Sequence, residues 1–295
     1  MTGTWRWLEG ARSVAELGKP AVSLLAAFSA LAASFLASAE LEWRLLLPWV
    51  GVFLLACGAG ALNQYQERES DGRMERTRGR PLPSGRVRPG AALAAAAALI
   101  VLGLLVLAAG GRTPVLLGGL AIAWYNGVYT PLKRATAYAA IPGALTGAFP
   151  PAIGWIFAGG RASDPRMFAI CLVLFVWQVP HFWLVALDRG PEYERAGLPR
   201  PTARLRPDQL RRIVCHWVVA TAACSLLLSL GSVFSVPATR YAVWGLSLWL
   251  AIQAAVFGFG PRRAGAVLFR RLNLYMAGLL ALACTDRLLA VLGVL

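Results

Sequence analysis

Apolar residues in this chain come in runs instead of alternating. Nine windows of close to twenty residues carry almost no charge, near 20–39, 45–63, 91–110, 114–130, 139–158, 167–187, 213–235, 241–260 and 272–294. As helix, each is long enough to cross about 30 Å of hydrocarbon. Strand-like alternation is absent and Leu and Ala dominate, so the windows predict membrane helices and argue against a barrel. Between them lie short polar connections, with two exceptions of about 25 residues, 64–89 and 187–212. Each follows an apolar window, the second and the sixth, and both are rich in charge, Gly and Pro. Long polar loops on one face of a helical membrane protein are where function is expected.

Composition agrees with the pattern. Hydrophobic residues make up 58% of the chain and charged ones 15%, with a mean hydropathy of +0.59, where a soluble domain carries about a quarter charged residues. The predicted architecture is all-α: a polytopic membrane protein of nine transmembrane helices forming a single domain over 1–295. No small-residue cleavage site follows the first apolar run, so no cleaved signal peptide is read. With the amino terminus inside, 23 of the 29 Lys and Arg residues fall in interior segments and five outside, which predicts a cytoplasmic amino terminus. The net charge of +15 thus reads as topology and not as a nucleic-acid footprint. Cys57, Cys171, Cys215, Cys224 and Cys284 all fall in spans, without metal spacing, and read as packing residues.

The first long loop carries the strongest chemical pattern. Asn63, Glu67 and Asp71 are spaced by four. If the second span continues as helix, they stack on one face about 6 Å apart. Three hard oxygen donors at a helix carboxyl end suit a magnesium ion shared with a phosphate group. Glu69 and Glu75 point elsewhere. Arg68, Arg73, Arg76, Arg78 and Arg80 surround the ladder and could fork onto free phosphate oxygens. The alternative from spacing alone is a salt-bridged helix end with arginines that only mark the interior face.

NQYQERESDGRMERTRGRPLPSG at 63–85 resembles the first signature of the UbiA superfamily of intramembrane prenyltransferases. Three further stretches agree in order: LGKP at 17–20, YTPLKRATAYAAIPGALTGAFPPAIGW at 129–155, and FVWQVPHFWLVAL at 175–187 with EYERAGLP at 192–199. Within the superfamily, the MERTRGRPLPSG tail is most similar to the branch that farnesylates protohaem IX. The resemblance implies a UbiA-type helix bundle and transfer of a farnesyl group from farnesyl diphosphate to haem B, a substrate and not a prosthetic group. It also implies Mg2+ on Asn63, Glu67 and Asp71 and a matching carboxylate at Glu192, which with Asp188 forms a D-x-x-x-E at the exit of the sixth span that could hold a second magnesium. Arg76, Arg80 and Lys133 are implied as diphosphate contacts, with Arg68, Arg134 and Tyr129 beside them. It implies a bacterial cytoplasmic (inner) membrane location. The chain departs from the family in having Glu67 and Glu192 where aspartate is usual, ATAYAA in place of TPQN after the basic loop, and RPTARL after AGLP. These departures bear on the acceptor, leaving an aromatic quinone precursor or a chlorophyll-type macrocycle as alternatives.

Other polar residues stay open. His181, in PHFW, is either a contact to the acceptor or a hydrogen-bonded packing residue; His216 is a weaker candidate of the same kind. Asp286 and Arg287 lie inside the ninth span, where ionised groups are expensive, and each is expected to pair with another helix. Trp124, Tyr125, Phe149, Phe175, Trp177, Phe182 and Trp183 could line an isoprenoid tunnel and steady an allylic cation, or mark membrane interfaces. A transporter would place charges in several spans; only Asp286 and Arg287 do so.

Overall fold

The computed structural model describes residues 12–188, 197, 199, 205–259 and 265–293. Helices account for the architecture: α1 (Pro20–Ala37), α2 (Leu47–Gly72), α3 (Pro89–Ala108), α4 (Arg112–Ile122), α5 (Thr130–Ala135), α6 (Ala140–Ala144), α7 (Phe149–Phe157), α8 (Pro165–Asp188), α9 (Pro207–Leu230), α10 (Pro237–Phe259) and α11 (Gly265–Val291). Proline opens several of them at the first turn, where its missing N–H costs nothing. Eight helical segments among the described residues are long and apolar enough to cross a membrane. The expected fourth span is helical too, but α4 and α5 are joined by a π-helical segment, Ala123–Tyr129. The expected fifth span is broken into α6, a 3₁₀ turn at Leu145–Gly147 and α7, around Pro142, Gly147, Pro150 and Pro151.

Two boundaries differ from the hydropathy reading. Helix α9 begins at Pro207 and α11 at Gly265, about a turn or two before their apolar windows. Arginines extend both helices without penalty because their heads find partners near the helix ends. Arg211 Nε donates to the Phe257 carbonyl at 2.7 Å, and Arg271 donates to Gln253 Oε1.

The bundle has two main apolar clusters. The larger joins α8, α9, α10 and α11 through residues such as Val173, Leu184, Val214, Leu250, Leu272 and Met276. The smaller joins α1, α2 and α7 around Ala27, Ala30, Val52, Leu55 and Ile153. Helices α2 and α3 approach closely because glycine lines their contact: a Cβ on Gly103 would stand 2.9 Å from the Gly51 carbonyl oxygen. The outer surface remains apolar, with Leu102, Leu105, Leu116, Leu248 and Ile252 exposed, as a lipid-facing wall requires.

Candidate active site

The polar end of the bundle gathers the start of α1, the ends of α2 and α8, α5, and the start of α11. Helix α2 spans 26 residues, about 39 Å of helix, so its last turns outrun the hydrocarbon. Asn63, Glu67 and Asp71 all lie on this continuous helix, as their spacing requires for a single face. Asn63 and Asp71 are each 1% exposed.

Each rung meets its own cation. Lys19 Nζ donates to Asn63 Oδ1 at 2.9 Å. Lys133 Nζ lies 2.6 Å from Glu67 Oε1, and Arg80 donates to Asp71 Oδ2 at 2.6 Å. Lys19 stands just before α1 in a left-handed conformation, with φ 49°. Burial first, then the Arg80 and Lys133 charges, push its ammonium down to about 7, while Glu67 and Asp71 oppose the shift. Its segment is held by Gln64, whose Nε2 donates to the Glu16 and Leu17 carbonyls at 3.0 and 2.9 Å. Lys19 was not among the candidates taken from sequence; the LGKP motif was the available signal.

Arg80 returns to the ladder because the loop after α2 folds back on itself. Thr77 Oγ1 donates to the Asp71 carbonyl at 2.8 Å, and Met74, Leu82 and Val87 are buried beneath it. Arg86 anchors the far side, 2.8 Å from Glu16 Oε2. Arg76 is exposed on this loop. Arg68 and Arg134 are engaged away from the rungs. Arg68 donates to the Tyr65 carbonyl at 2.8 Å and pairs with Glu69 at 3.5 Å; Arg134 donates to the Gln66 carbonyl. One residue past Glu67, Arg68 is turned about 100° around the helix.

From Lys133 an aromatic path crosses the bundle. Its ammonium lies 5.0 Å from the Tyr129 ring centre, and Tyr129 stacks on Phe182 at 5.3 Å. Gly143 allows this, since a Cβ there would stand 2.3 Å from Tyr129 Cδ2. Phe182 meets the His181 ring at 5.8 Å, and His181 in turn packs on Trp177 and Phe269, each at 4.9 Å. His181 Nδ1 is 3.0 Å from Asn273 Oδ1, so it is both hydrogen-bonded and part of the wall that begins at the ladder. His216 is separate from this wall, on an exposed turn of α9 with its Nδ1 at the Arg212 carbonyl.

The second acidic pair is only partly described. Asp188 is the last residue of α8; Glu192 lies outside the described residues. No group of three or more His, Cys, Asp or Glu side chains suited to a metal occurs among the described residues. The candidate donor set is therefore two carboxylates and one amide oxygen.

Asp286 and Arg287 correct an expectation. Asp286 is fully buried, but its partners are backbone groups and not another helix's side chain: Ser235 and Val236 N–H donate to Oδ2 and Oδ1, both at 2.9 Å. It caps the start of α10. Arg287 donates to the Ala39 carbonyl. Both belong to the opposite end of the bundle and serve the fold.

The bundle is that of an intramembrane prenyltransferase, and the chain belongs to the UbiA prenyltransferase family, whose sequence pattern matches residues 23–279. The relatives within that family are more specific. Protoheme IX farnesyltransferase of Geobacter sulfurreducens is 43% identical over 262 residues, covering 88% of this chain and 93% of its own. The protein of the same name from Oleidesulfovibrio alaskensis is 38% identical over 81% of this chain and 83% of its own. Among solved structures, a UbiA homologue from Aeropyrum pernix K1 has a TM-score of 0.75 at 16% identity, covering 92% of this chain and 98% of its own. One from Archaeoglobus fulgidus, bound to GPP and Mg2+, has a TM-score of 0.71 at 15% identity, covering 93% and 99%. At that identity the likeness is one of fold.

Proposed function

We propose that this prenyltransferase moves a farnesyl group from farnesyl diphosphate to a vinyl group of protohaem IX, making haem O. The observation that carries the reading is the set of three oxygen donors on one buried helix face, each within reach of a basic side chain. That donor set fits a divalent ion and an anionic head group together. Asn63, Glu67 and Asp71 would hold Mg2+, with Asp188 and Glu192 as a second acidic pair; bound there, the ion supplies Lewis-acid neutralisation of the departing diphosphate. Lys19, Arg80 and Lys133 bind the diphosphate oxygens and stabilise charge as the bond to the allylic carbon breaks. Tyr129 borders the same space through its contact with Lys133, and Arg76, Arg68 and Arg134 are further basic residues for the diphosphate. The electron pair of that bond leaves on diphosphate. The aromatic faces of Tyr129 and Phe182 steady the allylic carbon and keep water away until the vinyl terminus attacks it; the positive charge passes to the adjacent carbon, and water adds there and loses a proton to solvent to give the hydroxyethylfarnesyl side chain.

A farnesyl tail dissolves in the bilayer and its diphosphate does not, so the site belongs at the membrane rim. The excess of arginine at this end supports a cytoplasmic location for the ladder and the amino terminus. His181, at the far end of the aromatic wall, is a contact for the acceptor.

Membranes containing the protein, given farnesyl diphosphate and haem B, should yield haem O by mass spectrometry, and Asn63→Ala or Asp71→Ala should abolish it without loss of folded protein. A second reading, prenylation of an aromatic quinone precursor or a chlorophyll-type ring, rests on ATAYAA at 135–140. It predicts no haem O and a prenylated aromatic product in the same assay.

A further inference from the structure

We infer that Thr130 is a positioning residue: it dictates which end of the Asn63 amide faces the ladder, and the π-helical turn before it makes this possible. The inference rests on the proposed metal role of Asn63. In the π segment the Thr130 N–H reaches back five residues to the Tyr125 carbonyl, and the Thr130 hydroxyl donates to the same oxygen at 2.9 Å. A hydroxyl has one proton; once it is spent on Tyr125, the oxygen can only accept. Asn63 Nδ2 stands 3.1 Å from it, and both residues are 1% exposed, so no solvent offers an alternative. On the other side of the amide, Lys19 Nζ donates to Oδ1 at 2.9 Å.

Both ends of the amide are therefore fixed. Turning it over would set Oδ1 against the Thr130 lone pairs and take the oxygen away from Lys19, losing both hydrogen bonds and making a repulsive contact at Thr130. Thr130 thus commits the Asn63 oxygen, the only atom of that side chain able to bind a cation, to the ladder side. When Lys19 turns its protons toward an anionic head group, Thr130 is the remaining constraint. Groups behind a ligand that orient it in this way contribute about 10- to 100-fold in metal affinity.

The test uses the full chain in detergent, Mn2+ as the spectroscopic ion and inorganic pyrophosphate as the anion, with bound Mn2+ read by electron paramagnetic resonance. Thr130→Val should weaken Mn2+ binding about 10- to 100-fold, and Thr130→Ser, which keeps the hydroxyl, should bind within a few-fold of wild type. In an Asn63→Asp background, where either carboxylate oxygen can face the ion, adding Thr130→Val should cost nothing more. Wild-type Mn2+ affinity in Thr130→Val, alongside lost binding in Asn63→Ala, overturns the inference and leaves the metal reading standing. An equal loss in the Asn63→Asp background overturns it as well, since it makes Thr130 a general packing residue. Unchanged binding in Asn63→Ala instead overturns the metal reading itself. Should Thr130→Val not fold, Thr130→Ala carries the same expectations.

Discussion

Replacing Asp286 tests whether an ionisable residue in a membrane helix serves the fold instead of the reaction. Its carboxylate is 0% exposed and takes the Ser235 and Val236 N–H groups, each at 2.9 Å, where the chain enters α10. Hydrogen bonds to a charged acceptor contribute about 1.5–3 kcal/mol each, and a negative charge at a helix amino terminus adds up to about 2 kcal/mol. Those figures shrink in a membrane protein, because the unfolded chain in detergent or lipid also finds partners. Asp286→Ala, which leaves two buried N–H groups without an acceptor, should therefore cost about 3–4 kcal/mol. Asp286→Asn keeps one acceptor and should cost about half as much. Thermal denaturation of the detergent-solubilised protein, followed by loss of the monodisperse fraction, measures both. The ladder should not respond: Asn273, beside the site, and Asp286 are 13 residues apart on α11, about 20 Å along the helix. Pyrophosphate affinity well below the denaturation midpoint should match wild type. Wild-type stability in Asp286→Ala would refute the capping account, and lost affinity with unchanged stability would return Asp286 to a functional role.

The site itself makes two more predictions. Because Lys19 is pushed down to about 7, an anion beside it must raise that value; metal-free pyrophosphate binding above pH 7 should then draw a proton onto the protein, and below about pH 6, where Lys19 is already charged, it should not. Calorimetry in buffers of different ionisation enthalpy measures the uptake, Lys19→Met should remove it, and a wild-type enthalpy independent of buffer would sink the argument. Gly143→Ala puts a methyl 2.3 Å from Tyr129 Cδ2, pushing that ring off Phe182 and Lys133; turnover should fall by about tenfold to a hundredfold, and wild-type turnover would show that the Tyr129–Phe182 stack is dispensable.

How far the chain could be read without coordinates depends on the range of each interaction. Spans are a matter of local composition, and the ladder is a spacing of four on one helix, so both were legible. Arg68, expected at the ladder, is one residue past Glu67 and therefore turned about 100° from it, a local rotation that the expectation overlooked. Arg80 needed more: it reaches Asp71 only because the eight residues between them fold into a compact loop closed by Thr77, over the buried Met74 and Leu82. Spacing alone does not distinguish Arg80 from the other arginines of the run; only the family resemblance picked it out, together with Arg76. Lys19 is harder still, since its reach depends on a left-handed residue at the mouth of α1 and on Gln64 holding the preceding carbonyls.

The role of Asp286 stayed open in the sequence for a related reason. A charge inside an apolar window signals an expensive group, and expense points equally to function or to a backbone that needs an acceptor. The turn between α9 and α10 leaves N–H groups unsatisfied at the start of α10, and a residue 50 positions away answers them. The π turn at 123–129 poses the same ambiguity in reverse. Its sequence, AWYNGVY, has no signature that hydropathy could detect, yet the structure ties it to α2 at several points. Asn126 Nδ2 donates to the Ala59 carbonyl and to Gln66 Oε1, both at 3.1 Å, and Gln66 Nε2 returns a bond to the Asn126 carbonyl at 3.0 Å. These bonds lock the irregular turn against the helix that carries the ladder, so Thr130 and Lys133 arrive opposite Asn63 and Glu67 in one register. An uninterrupted α-helix through the same residues would rotate Thr130 and Lys133 by about one residue, roughly 100°, and withdraw both from the rungs they meet. The irregularity is thus part of how the bundle assembles its polar end, and it follows from hydrogen bonds between residues sixty or more positions apart.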